Sequence, residues 1–117
     1  MSLTFKDREN IIRSYGKDYK KSKLIELKGI EVLNSDLVSE KDEKYIINES
    51  NYHYYYGVQN KIDRVLEKMD YDDANFIRCE FLSNNYRPDW WRSYFSRSTY
   101  YRLKKRSMEN FLRMIYD

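Results

Sequence analysis

One proline and three glycines are all the strong backbone punctuation in this chain of 117 residues. Proteins made of many strands need frequent tight turns, and Gly and Pro mark most of them. Their scarcity points to helices. The pattern is clearest after Pro88, where neither residue recurs before the C-terminus. Ser96 or Ser98 can cap the first turn of a helix there, because a serine side chain accepts a hydrogen bond from an otherwise unpaired N–H. Apolar residues then return at Tyr100, Leu103, Met108, Phe111 and Ile115, with Ser107 as a small member of the stripe. That period buries one side of a helix. The opposite side presents Arg97, Ser98, Tyr101, Arg102 and Lys105.

The remaining chain fits the same class. Charged residues make up 35% and mean hydropathy is −0.95, values that would predict disorder in a chain poor in aromatics. Here 17% of residues are aromatic, including 13 Tyr and two Trp, enough large apolar surface for a folded core. The length predicts one domain. Phe5, Ile12, Tyr15 and Tyr19, then Leu27, Ile30, Leu33 and Leu37, outline an N-terminal helical arm over about residues 4–34. Gly16, Gly29 and the run from Lys17 to Lys23 make it either one kinked helix or two. Residues 35–51, centred on a charged and non-periodic stretch, read as a linker loop, with Tyr45-Ile46-Ile47 able to form a short extended piece. Tyr55, Val58, Ile62, Val65, Leu66 and Met69 then give a long helix, and Ala74, Ile77, Phe81 and Leu82 a shorter one. The expected fold is all-α: four to five helices in an orthogonal bundle, with residues 52–117 as its body.

The C-terminal words carry a likeness. Ser96-Arg97-Ser98-Thr99-Tyr100-Tyr101-Arg102-Leu103-Lys104-Lys105-Arg106, followed by Ser107-Met108-Glu109-Asn110-Phe111-Leu112, resembles the recognition helix of ArpU-type phage transcriptional regulators. More distantly it resembles the helix-turn-helix of sigma-factor region four. Upstream, Asp70-Tyr71-Asp72-Asp73 and the stripe from Tyr55 to Met69 look like the elements that precede the motif in that family. The resemblance implies a degenerate helix-turn-helix that reads double-stranded DNA in transcription regulation, with no enzymatic activity. Carried over residue by residue, it would set Arg97, Ser98, Tyr101 and Arg102 against base edges and Lys104, Lys105 and Arg106 against phosphate. One departure stands out. Trp90 and Trp91, within Arg87-Pro88-Asp89-Trp90-Trp91-Arg92, occupy the place where such motifs have a small residue and a glycine turn. On a helix, adjacent residues diverge by about 100°, so one Trp should be core and the other a partner-contact candidate.

Charge supports a nucleic-acid partner independently of that likeness. The net charge is only +3, but residues 87–117 carry +5 and the rest −2. A non-enzymatic protein-interaction module that kept the bundle and lost groove access is the alternative, with RNA polymerase or another protein as partner. RNA binding is third. The sequence leaves oligomeric state open.

Other chemistries find little footing. His53 is the sole histidine and Cys79 the sole cysteine, too few for a Cys/His zinc site, and their spacing supports no catalytic pairing. No cofactor motif is present. Asp70, Asp72 and Asp73 stand at a helix start, where capping and dipole complementarity explain them better than a metal does. Tyr52-His53-Tyr54-Tyr55-Tyr56 could stack bases, but few cations surround it, so packing is the stronger reading. A lone cysteine and the lack of an apolar leader or span point to the cytoplasm and away from the membrane. The abundance of Lys, Asn, Tyr and Ile fits a low-GC bacterium or its phage.

Overall fold

The computed structural model describes residues 3–28 and 49–116, with no account of the side chains of residues 27, 28 and 49–51. The described residues form four helices and no strand: α1 (Phe5–Lys28), α2 (Glu49–Lys68), α3 (Tyr71–Ile77) and α4 (Arg97–Ile115). A wider π turn, Arg78–Leu82, extends α3. The all-α expectation holds.

Local chemistry fixes several boundaries. Thr4 Oγ1 accepts the Asp7 N–H at 3.0 Å while Asp7 Oδ2 accepts the Thr4 N–H at 3.1 Å, a reciprocal capping box that starts α1. Ser96, in extended backbone, caps α4 by accepting the Thr99 N–H at 3.3 Å. Asp70 occupies the N-cap of α3 without a side-chain cap bond, so its carboxylate contributes at most through the helix dipole.

Of the two forms expected for the N-terminal arm, a kinked helix or two helices, the described part is one helix with no break at Gly16. Packing explains the glycine: a Cβ there would collide with the carbonyl oxygen of Phe81 in the π turn. Gly16 lets two backbones approach where any side chain would hold them apart. The C-terminal part of the expected arm, with Gly29, Ile30, Leu33 and Leu37, lies outside the described residues. So does most of the expected linker, including Tyr45-Ile46-Ile47. The end of that linker is corrected: residues 49–51 already belong to α2.

The core gathers Ile12 from α1, Ile62, Val65, Leu66 and Met69 at the end of α2, Ala74 and Ile77 from α3, Phe81 and Leu82 from the π turn, and Met108, Phe111, Leu112 and Ile115 from α4. Tyr15 packs edge-on against Phe111 with ring centres 6.4 Å apart. Polar bonds hold α1 along α2: the Tyr19 hydroxyl donates to Asp63 at 2.9 Å, and the buried Ser22 hydroxyl donates to Gln59. Two expected stripe members sit differently. Phe5 is exposed and Leu103 only half-buried. In α4 the inward line passes instead through Tyr100, Lys104, Ser107 and Phe111.

Candidate nucleic-acid interface

Three buried carboxylates organise the polar packing around α4. Asp73 is 2% exposed and accepts Arg106 Nε at 2.9 Å, Ser107 Oγ at 3.2 Å and Asn110 Nδ2 at 2.8 Å. It therefore ties α3 to the middle of α4, a role beyond the helix-start one expected for it. Glu9 of α1 accepts Lys104 Nζ at 2.7 Å, with Lys6 at 3.3 Å and Arg13 at 3.4 Å on its other oxygen. Burial works against the Glu9 anion, but the bond and charge of Lys104, then the charge of Arg13, outweigh it and hold the carboxyl below its ordinary value.

Glu80 is the third, also 2% exposed. It accepts the Tyr86 hydroxyl at 3.0 Å, the Trp90 indole N–H at 3.3 Å and the hydroxyl of Tyr100. Burial and Glu80 together push the Tyr100 phenol far above its ordinary range and raise Tyr86 to about 12, with nearby Arg13 offsetting part of the second rise. Both phenols remain neutral donors at physiological pH. Glu80 thereby pins the segment between α3 and α4 to the first turn of α4.

That segment, residues 83–96, is not the helix that a helix-turn-helix would place there. It proceeds by short turns, with the Trp90 N–H on the Arg87 carbonyl, the Arg92 N–H on Asp89 and the Tyr94 N–H on Trp91. The expected division of the Trp pair into one core and one partly exposed residue presumes helical geometry, which this segment lacks, and neither Trp is core. Both are half-buried. Trp91 stacks on Tyr100 at 4.5 Å and 21° and donates its N–H to the Pro88 carbonyl at 3.0 Å. Trp90 meets Phe76 edge-on at 5.3 Å and Phe95 at 6.3 Å. Together they make an aromatic collar around the first turn of α4. Beside it is a notch of about 160 Å³ lined by Phe76, Trp90, Phe95 and Leu103, with Asp72 and Asn75 at its polar part.

Above the collar the outward face of α4 is open. Arg97, Ser98, Tyr101, Arg102, Lys105 and Arg106 are all exposed. Arg97 lies over the Tyr101 ring at 5.9 Å. Arg102 and Lys105 have no hydrogen-bond or ion-pair partner among the described residues. Arg106 spends one N–H on Asp73 but remains half-exposed, with further donors of its fork available. Lys104 is a correction. It is buried at 6% exposure in the Glu9 ion pair, 5.7 Å from the Phe5 ring centre, and cannot reach a phosphate on the outer face.

The remaining candidates are dispersed. His53 is exposed on α2 beside Tyr52, while Cys79 is half-buried in the π turn, its thiol raised by burial and by Glu80. Among the described residues no group of three His, Cys, Asp or Glu side chains could hold a metal ion. Tyr52 stacks with Tyr56, and Tyr54 donates to Asp18 at 3.1 Å, so the tyrosine cluster packs with itself and with α1. No described helix is long and apolar enough to cross a membrane. No protein-family model matches the chain, and no curated protein or solved structure is significantly similar to it.

Proposed function

We propose that this protein binds duplex DNA through the exposed N-terminal half of α4 and acts as a transcriptional regulator. The observation that carries the reading is a local rule broken in one place. The N-terminus of a helix is the positive end of its dipole, and acidic residues there stabilise it by about 0.3–1 kcal/mol each. The first turn of α4 has none, and no acid occurs before Glu109. Arg97, Arg102 and Lys105 add cations to that end and to the turns after it. An anion at this face gains from both the dipole and the side chains. A helix of this width fits the major groove, where Ser98, Tyr101 and arginine donors meet base edges and phosphates lie to either side.

The notch beside the collar supports a second reading, a module that takes an apolar anchor from a protein partner. Duplex binding decides between them. With three to five phosphate contacts, log K should fall against log salt with a slope of roughly −3 to −4.5 in fluorescence anisotropy titrations of a duplex pool. Absence of binding at low salt would favour the interaction module.

A further inference from the structure

The basic surface is not confined to α4. Residues 13–23 of α1 hold five cations and one acid. Arg13, Lys17, Lys20 and Lys21, together with the Phe81 ring, line a concavity of about 350 Å³, and no acid lines it. The shape has a structural origin. Because Gly16 lacks a Cβ, α1 settles directly on the Phe81 carbonyl, which sets Phe81 against the turns of α1 that carry these cations. Arg13 reaches over that ring at 5.3 Å.

Nearby acids are committed elsewhere. Asp18 accepts the Tyr54 hydroxyl, and Glu9, which Arg13 also touches, is buried against Lys104. Lys17 and Lys20 have no hydrogen-bond or ion-pair partner among the described residues. Like charges three or four residues apart on a helix repel one another, and 13/17 and 17/20 are such pairs. A cluster that strains its own helix and forms a concave site is suited to a polyanion. The same Arg13 lies close enough to Tyr86 to act on its phenol, so the α1 cluster adjoins the segment that carries Arg87 and Arg92 toward α4.

We infer that Arg13, Lys17 and Lys20, gathered around Phe81, form a second contact to the sugar-phosphate backbone of duplex DNA, sequence-independent and separate from the α4 face. The inference rests on the proposal that the protein binds duplex DNA, and one experiment tells the two apart. The full chain is titrated into a labelled mixed-sequence duplex across a salt series. It is compared with a Lys17→Gln, Lys20→Gln variant, which keeps the alkyl stems, and with Arg102→Ala, Lys105→Ala. Circular dichroism confirms that each variant is folded, and Lys17→Glu serves as an independent charge reversal.

The Gln variant should flatten the salt slope by about one to two units, since each lost phosphate contact removes about 0.9. Lys17→Glu should weaken binding at low salt. An unchanged slope in the Gln variant alongside a flattened one in the α4 variant would overturn the α1 contact and leave the α4 reading standing. The reverse pattern would overturn the α4 reading and keep the α1 contact. A wild-type chain that fails to bind duplex at low salt would overturn both.

Discussion

The two halves of α4 treat their cations in opposite ways. In the C-terminal half, Met108, Phe111, Leu112 and Ile115 enter the core, and Arg113 donates to Asn110 at 3.2 Å. At the middle, Lys104 and Arg106 are bound to Glu9 and Asp73. From the N-terminus to the middle, Arg97, Arg102 and Lys105 face outward, and the first turn is supported from beneath by the aromatic collar and Glu80. The contrast is sharpest between Lys104 and Lys105, neighbours in sequence that lie about 100° apart around the helix. One is a structural cation and the other is open to a ligand. Basic composition alone therefore does not identify a nucleic-acid surface. Which cations are committed inside the fold and which stay open narrows the candidates.

The largest effect expected is in the core half. Phe111 is 0% exposed, and Phe111→Ala should lower unfolding free energy by about 3–5 kcal/mol in urea melts. Lys105→Ala, on the open face, should stay within about 0.5 kcal/mol. Equal small losses would mean that the two halves are not distinct.

Lys104→Ala comes next. Removing one partner of a buried ion pair costs about 3–5 kcal/mol, and Glu9 keeps Lys6 and Arg13, so a loss near the lower end is expected. The same variant should leave the salt dependence of DNA binding unchanged. Its pH behaviour has a definite sign. The Glu9 pKa is depressed on folding, so its contribution is present above the ordinary value of 4.5 and is lost as pH falls through the lower folded value. The stability difference between wild type and Lys104→Ala should therefore shrink in acid. A difference that persists unchanged at low pH would contradict the pairing.

The glycines extend the comparison to smaller effects. Gly16→Ala forces a Cβ against the Phe81 backbone and should destabilise by about 1–3 kcal/mol. Gly57, inside α2, has open space where its Cβ would be, and Gly57→Ala should stabilise by about 0.5–1 kcal/mol. Thermal melts that move in the same direction for both would break this account of α1 packing.

Much of this was legible in the sequence, and the failures have a common cause. The stripe from Ile62 to Met69, the Ser96 cap and the inward Met108, Phe111 and Ile115 all follow from apolar period and turn chemistry. The buried acids do not, because period analysis scores apolar residues, while Glu9 is buried by a partner on another helix. Lys104 turns inward for the same reason, since its partner Glu9 is on α1. Strict spacing from Tyr100 to Phe111 passes through residues 104 and 107, and following it would have set Lys104 inward and Leu103 aside. The Thr4–Asp7 capping box has a signal in the sequence itself, a threonine with an acid three residues on. Around the Trp pair, Pro88-Asp89 favours a turn over a helix, but the collar depends on Glu80, whose role no local pattern announces.

The central claim, that the unpartnered cations of α4 hold DNA, is tested most directly by the salt dependence of duplex binding in Arg102→Ala, Lys105→Ala set against wild type. Each lost phosphate contact removes about 0.9 from the slope, so the double variant should flatten it by up to about two units while its melting curve stays close to wild type. A folded double variant with an unchanged slope would contradict the claim.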